Sequence, residues 1–205
     1  MRPDLIADIV PLTFEHLLLV VGAMAIAIAI AVPLGILMTR HATGRKFVLA
    51  VASVVQTIPS LALFGFLIPV PFIGGIGKRT VIVALVLYAL LPILRNTVVG
   101  IINVDRAVCE SAVAMGMTDG QLLRQVQLPL AATTILAGIR VATVVTIGTA
   151  TIAAAIGGGG LGVFIFRGIA SVDSAQLLAG AVPAAVMALL ADGGLGWIER
   201  KLSPV

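Results

Sequence analysis

The chain is 205 residues long, 60% hydrophobic and 11% charged, with a formal net charge of +4 and a mean hydropathy of +1.19. About a quarter of the residues of an ordinary soluble domain are charged. This composition therefore excludes one and predicts an integral membrane protein, a single all-α domain over residues 1–205 with room for roughly five or six spans of about 20 residues each. The basic residues come singly or in pairs, as at Arg45 and Lys46, Lys78 and Arg79, and Arg200 and Lys201, which marks membrane edges against lipid and argues against a nucleic-acid partner.

In chain order, Met1–His16 reads as a polar lead carrying Arg2, Asp4, Asp8 and Glu15, without the basic start or the small-residue cleavage site of a secretory signal. Leu17–Met38 is the first predicted span. Its AMAIAIAIAV passage alternates with period two, but its length selects helix over strand. After a loop with Arg40, His41, Arg45 and Lys46, a second span over Phe47–Pro69 is interrupted by Gln56, Thr57, Pro59 and Ser60. The proline predicts a kink, with Thr57 available to satisfy freed backbone groups; the bend fits either a transport route or a tolerated distortion. A Pro/Gly turn over Pro69–Lys78 leads to a third span, Val81–Ile102, with Tyr88, Pro92, Arg95 and Asn96 in or near it.

A polar island then interrupts the apolar sequence, about 105–129. Asp105 is placed to N-cap a short helix carrying Val108, Ala112 and Met115 on one face, which Gly116 stops in the left-handed conformation. Thr118 and Gln121 form a capping box for a second short helix, with Leu122, Leu123 and Val126 on one side and Gln121, Arg124 and Gln125 on another. Pro129 is expected to close that helix and start the next segment. Such a helical hairpin fits either a groove of another protein or a bed of lipid headgroups; it has few Lys or Arg and no aromatic anchor. Cys109, the one cysteine, lies in it and permits no internal disulfide.

Leu130–Ile156 is the fourth span, in which Thr143, Thr146 and Thr149 recur every third residue. They either line a hydrated path or bond to helix carbonyls and a neighbouring helix. Arg140 is costly there unless paired, and reads as structural. Gly157–Gly162, GGGGLG, fits G-x-G-x-x-G, but no strand precedes it and no βαβ unit surrounds it, so a nucleotide site is excluded. Gly157, Gly158, Gly159, Gly160 and Gly162 read instead as the end of the span and as points of close backbone approach at the outer mouth of a gate. Val163–Ala175 reads as a mixed loop, and Gln176–Trp197 as the last span, ending in an interfacial Trp197 and the pair Arg200 and Lys201; Asp192 reads as interfacial.

The island resembles the EAA loop of ABC importer membrane subunits through Glu110, Ser111 and Ala112, then Gly116, then Val126, Leu128 and Pro129, with Ser111 standing for Ala and Val126 for Ile. The resemblance implies a cytoplasmic coupling helix that sits in a cleft of an ABC ATPase subunit, with ATP and magnesium held by that partner. Glu110, Ser111, Ala112, Gly116, Leu122, Arg124, Leu128 and Pro129 would form the ATPase-coupling surface. VVQTIPSLALFGFLIP (Val54–Pro69), LYALLPILRNTVVGI (Leu87–Ile101), GIRVATVVTIGTATIAAAIGGGGLG (Gly138–Gly162) and FIFRGIA (Phe164–Ala170) resemble the osmoprotectant branch of these permeases. That branch implies a second permease copy or paralogue, an extracytoplasmic solute-binding protein, and glycine betaine, choline or carnitine as solute. A methionine-like permease is the nearest rival, and a passive channel or structural membrane protein the rival from another class.

No Walker-type G-x-x-x-x-G-K-[ST], no H-E-x-x-H and no G-x-S-x-G occurs, so the sequence offers no catalytic residues, no metal ligands and no cofactor of its own. The spans hold almost no acid before Asp192, which favours an ATPase over an ion gradient as the energy source. With only Trp197, Tyr88 and seven Phe, a tight aromatic cage for a quaternary ammonium is not expected within the chain. Gln56, Thr57, Tyr88, Asn96 and Thr146 are the candidates for the translocation path. If the island is cytoplasmic, Arg40, Arg45, Lys46, Arg106, Arg124, Arg200 and Lys201 lie inside and Arg2, Lys78, Arg79 and Arg167 outside, which predicts a multi-pass protein of a bacterial or archaeal cell membrane with its N-terminus outside and its C-terminus in the cytoplasm.

Overall fold

The long apolar runs become helices because a backbone in hydrocarbon must satisfy its own polar groups. The computed structural model describes the backbone of residues 3–202 and the side chains of residues 7–202; Arg2 and the side chain of Asp4 lie outside the described residues. In order, the helices are α1 (Pro3–Thr39), α2 (Ala42–Thr57), α3 (Ser60–Leu67), α4 (Lys78–Ile102), α5 (Arg106–Ala114), α6 (Asp119–Gln121), α7 (Leu128–Ile152), α8 (Gly162–Ala170) and α9 (Ser174–Leu202). Among the described residues there is no strand.

Four of these elements are long and apolar enough to cross a membrane, and α2 with α3 makes a fifth crossing if that bent pair is one span. Contacts at the helix ends support the fifth crossing. The Arg40 guanidinium, just after α1, donates to the Asp119 carbonyl of the island at 3.5 Å, whereas Lys78, the first residue of α4, pairs with Glu15 in the first half of α1 at 2.6 Å. The α2–α3 segment therefore starts on the island side and delivers the chain to the opposite side.

α4 is the core of the bundle. It lies against both α1 and α7 and buries Val81, Ala84, Leu85, Ile93 and Leu94 completely or nearly so. α9 joins from the α7 side and leaves Leu178, Val182, Val186, Leu189 and Leu190 exposed. Since lipid is as apolar as leucine, helices here are brought together by shape and small residues. At Gly138 a Cβ would come within 2.5 Å of the Asn96 Cβ and 2.8 Å of the Pro92 carbonyl oxygen. Gly138→Ala is therefore expected to cost about 1–3 kcal/mol by overfilling the α4–α7 contact and to lower the thermal midpoint of the detergent-solubilised protein. Gly148→Ala, where no atom lies within 4 Å of the added carbon, is expected to leave that midpoint unchanged or slightly raised.

Four expectations need correction. From Pro3 onward the supposed polar lead is part of α1, which continues to Thr39 over 37 residues, about 55 Å at 1.5 Å per residue; within it Glu15 pairs with Lys78, and the His16 Nε2 meets the Ile147 carbonyl. The second span is not merely kinked: α2 and α3 meet at 103°, because Ile58 and Pro59 are both extended and proline cannot donate to the helix ladder. Pro129 does not close the second island helix. A π-helical turn over Leu122–Gln127 carries α6 into α7 without a break. Finally, Val163–Ala175 is largely helix, as α8, with its glycines Gly162 and Gly168 buried against other segments.

Candidate functional site

The island is built by local chemistry. The Asp105 carboxylate accepts from the Ala107 amide at 2.8 Å and caps α5. At the other end Gly116, at φ +87°, lets its own amide reach the Val113 carbonyl at 2.9 Å and the Met117 amide reach the Ala112 carbonyl at 3.2 Å, the paired bonds of a Schellman stop. Thr118 and Gln121 form the reciprocal capping box, with the Thr118 amide donating to the Gln121 side chain at 2.8 Å. The following π turn, in which the Leu128 amide donates to the Leu123 carbonyl five residues back, widens the coil where the Pro129 ring would otherwise strike the carbonyl four residues earlier.

Of the residues expected to meet an ATPase, Glu110, Ser111, Gly116, Arg124 and Pro129 are exposed, Leu122 and Leu128 are half-buried, and Ala112 is buried. Glu110 pairs with Arg106 at 2.7 Å, one helical turn away and open to solvent, a contact worth little by itself. Val108, Val113 and Met115 stand exposed beside them, an apolar surface on an otherwise polar hairpin. The Gln127 amide contacts the Cys109 sulfur at 4.0 Å, tying α5 to the turn. Between the island and the ends of α1 and α4 lies an open cleft of about 690 Å³, lined by Thr39, Arg40, Ile101, Arg106, Cys109 and Gln127 among others.

The five path candidates do not converge, and their polar groups are engaged within the chain. Gln56 donates to the Tyr88 carbonyl at 3.0 Å, and the Tyr88 hydroxyl donates to the Ile58 carbonyl, so these two pin the α2–α3 break onto α4. Thr57 bonds its own helix at the Val54 carbonyl, and Asn96 bonds the Pro92 carbonyl. Thr146 is fully buried with its hydroxyl 3.5 Å from the Met24 sulfur, while Thr143 bonds the Ile139 carbonyl of its own helix. Halfway along α7, Arg140 forks onto Asp192 of α9 at 2.6 and 2.7 Å and reaches Glu199 at 3.3 Å.

At the end of the bundle opposite the island, Gly157, Gly159 and Gly160 all have φ between 73° and 78°, and Gly158 and Gly162 are buried where a side chain would strike the Ala153 and Thr151 carbonyls. Sequence reasoning missed what meets this loop. The Glu15 carboxylate accepts from the Gly160 amide at 2.9 Å and pairs with Lys78, and the neighbouring His16 is fully buried with its Nε2 3.2 Å from the Ile147 carbonyl oxygen. The available signal was an acid and a histidine at the start of an apolar run, with a lysine expected on the same side of the membrane. Among the described residues no three His, Cys, Asp or Glu side chains gather as a metal site.

The sequence profile of the family described as "binding-protein-dependent transport system inner membrane component" matches residues 31–204. The chain is 47% identical to the glycine betaine/carnitine/choline transport system permease protein OpuCD of Bacillus subtilis (strain 168), covering 94% of this chain and 83% of that one. It is 48% identical to the carnitine transport permease protein OpuCD of Listeria monocytogenes serotype 1/2a (94% and 85% covered) and 44% identical to the choline transport system permease protein OpuBB of Bacillus subtilis (94% and 87%). Among solved structures, inward facing conformations of the MetNI methionine ABC transporter superpose with a TM-score of 0.89 at 23% identity, all of both chains being covered. At that identity the likeness shows the fold.

Proposed function

The chain belongs to the binding-protein-dependent transport system inner membrane component family, and from that premise we propose that it is the permease subunit of an ATP-driven importer for a quaternary ammonium osmoprotectant: glycine betaine, choline or carnitine. The observation that carries the solute class is the 44–48% identity, over nearly the whole chain, to permeases named for those solutes. The methionine reading has only a fold likeness behind it. The chain is a transport subunit, not an enzyme; ATP and magnesium belong to an ABC ATPase partner.

In this reading the island is cytoplasmic and seats in the ATPase, with Val108, Val113 and Met115 as apolar contacts and Glu110 and Arg124 as polar ones. The N-terminus is outside and the C-terminus inside. A second permease, identical or related, completes the path between two bundles, since Gln56, Tyr88, Asn96 and Thr146 are each held inside one. ATP-driven closure of two ATPase subunits draws the islands together, and the helices rock to open outward toward a loaded binding protein. Chemistry favours recognition by that separate protein. Lys201 lies 4.0 Å over the Trp197 ring and Tyr88 is buried in the core, so neither ring offers a free face to an aromatic cage.

The test is labelled uptake in cells lacking their own osmoprotectant importers and supplied with this chain and its neighbouring subunits. Glycine betaine, choline or carnitine is expected to accumulate in an ATP-dependent manner and methionine is not. Accumulation of methionine alone, or equilibration without ATP, overturns the assignment.

A further inference from the structure

The two ends of the bundle differ. On the island side a cleft of about 690 Å³ stands open between α1, α4 and the hairpin. On the opposite side three segments distant in sequence are drawn onto one carboxylate. Glu15 of α1 accepts from the Gly160 amide at 2.9 Å, meets Lys78 at the start of α4 at 2.6 Å, and lies so close over Gly159 that a Cβ there would collide with it. Among the described ion pairs, this one and the Arg140 fork are those that join separate helices.

The loop itself has few means of attachment. Its glycines bring no side chains, and three of them sit at positive φ, a region glycine enters as readily as the negative one, so the loop backbone does not by itself select one conformation and an outside contact has to. Glu15 supplies that constraint. The next residue adds a second observation: His16 is fully buried, its Nδ1 has no hydrogen-bond partner, and that atom lies against Gly160, 3.0 Å from where a Cβ would stand. A buried polar atom without a partner disfavours the arrangement that encloses it, so the closed end carries a contact that opening relieves. The same helix that leaves the island, running through the π turn and α7, ends in this loop, which places the island and the loop at the two ends of one lever.

We propose that Glu15 is the positioning residue of a clasp that shuts the end of the bundle opposite the island, and that each import cycle requires it to release Lys78 and the Gly160 amide. The proposal rests on the importer reading above. Until the clasp parts, α1, α4 and the end of α7 cannot separate on the side from which a binding protein delivers solute. The alternative is that each bundle moves as a rigid body and the clasp never opens.

The experiment uses the full complex with its ATPase and solute-binding protein, carrying Cys109→Ser, Glu15→Cys and Lys78→Cys, and a short bis-maleimide with a reducible linker. Crosslinking is expected to be efficient without nucleotide and about tenfold lower when the complex is trapped with ATP and vanadate, since a tenfold change in the closed fraction is a modest shift for a two-state element. The crosslinked complex is expected to lose uptake and to regain it on reduction, which also shows that the variant folds. Equal crosslinking in both states, or unimpaired uptake while crosslinked, overturns the clasp. As a second readout, Glu15→Gln is expected to raise ATP hydrolysis in the absence of the binding protein about threefold to tenfold, the range for losing a partly buried charge-assisted contact, while Lys78→Arg leaves it near the parent value. Unchanged hydrolysis in Glu15→Gln also overturns it. Import of labelled glycine betaine by the unmodified complex tests the importer reading separately from both.

Discussion

Gly116→Val is expected to reduce solute uptake to less than about a tenth of the parent while leaving the amount of protein in the membrane unchanged. No steric clash is involved, because nothing lies within 4 Å of a Cβ at this position. The effect comes from the backbone. Gly116 sits at φ +87°, where a residue with a Cβ costs about 1–2 kcal/mol and a β-branched one most, and two hydrogen bonds closing α5 depend on that conformation. A penalty of that size shifts the competent hairpin by about tenfold, and a misdirected hairpin no longer presents Met115 and Val113 for the docking proposed above. Gly116→Asn, which tolerates the left-handed region, is expected to keep much of the activity. Uptake measured alongside co-purification of the ATPase checks this: both are expected to fall together in Gly116→Val, and unaltered uptake in that variant would remove the hairpin from the coupling path.

Arg140→Ala is expected to lower the amount of correctly folded protein several-fold. The guanidinium reaches Asp192 through two bonds and Glu199 through a third, and Gly196 leaves it room, since a Cβ there would stand 3.0 Å from the Arg140 Cζ. Removing the cation leaves two carboxylates, two turns apart on one face of α9, without their shared partner, the situation in which breaking an ion pair does more harm than never having it. Arg140→Lys is expected to recover only part of the loss, because an ammonium cannot fork across both Asp192 oxygens. Neutralising the whole cluster, with Arg140→Met, Asp192→Asn and Glu199→Gln together, is expected to restore both the yield of monodisperse protein in detergent and uptake. Restored yield without restored uptake would instead give the cluster a part in transport beyond holding α7 to α9.

The elements that could be read directly were those whose causes lie within a few residues. Asp105, Gly116, Thr118 and Gln121 act on amides two to five positions away, so caps and turn follow from spacing alone. The π turn is also local, yet the rule that proline ends a helix pointed the other way; widening the coil by one residue per turn removed the clash and kept the island continuous with α7. Pro59 announced a bend between α2 and α3, but where the broken segment rests was decided by Gln56 meeting the Tyr88 carbonyl across 32 positions. The role of Glu15 is invisible locally, because the amide it accepts from lies 145 positions away.

Composition and apolar run length alone were sufficient to put this protein in a membrane as a helical bundle, because hydrocarbon penalises every unsatisfied amide and leaves few solutions. Local spacing was sufficient to place the hairpin that interrupts it. Which polar residues serve as struts and which remain free was decided only when the helices came together: a carboxylate or hydroxyl inside a bundle is satisfied by whatever group lands within about 3 Å of it, and that distance is set by tertiary contacts between segments that no periodicity connects.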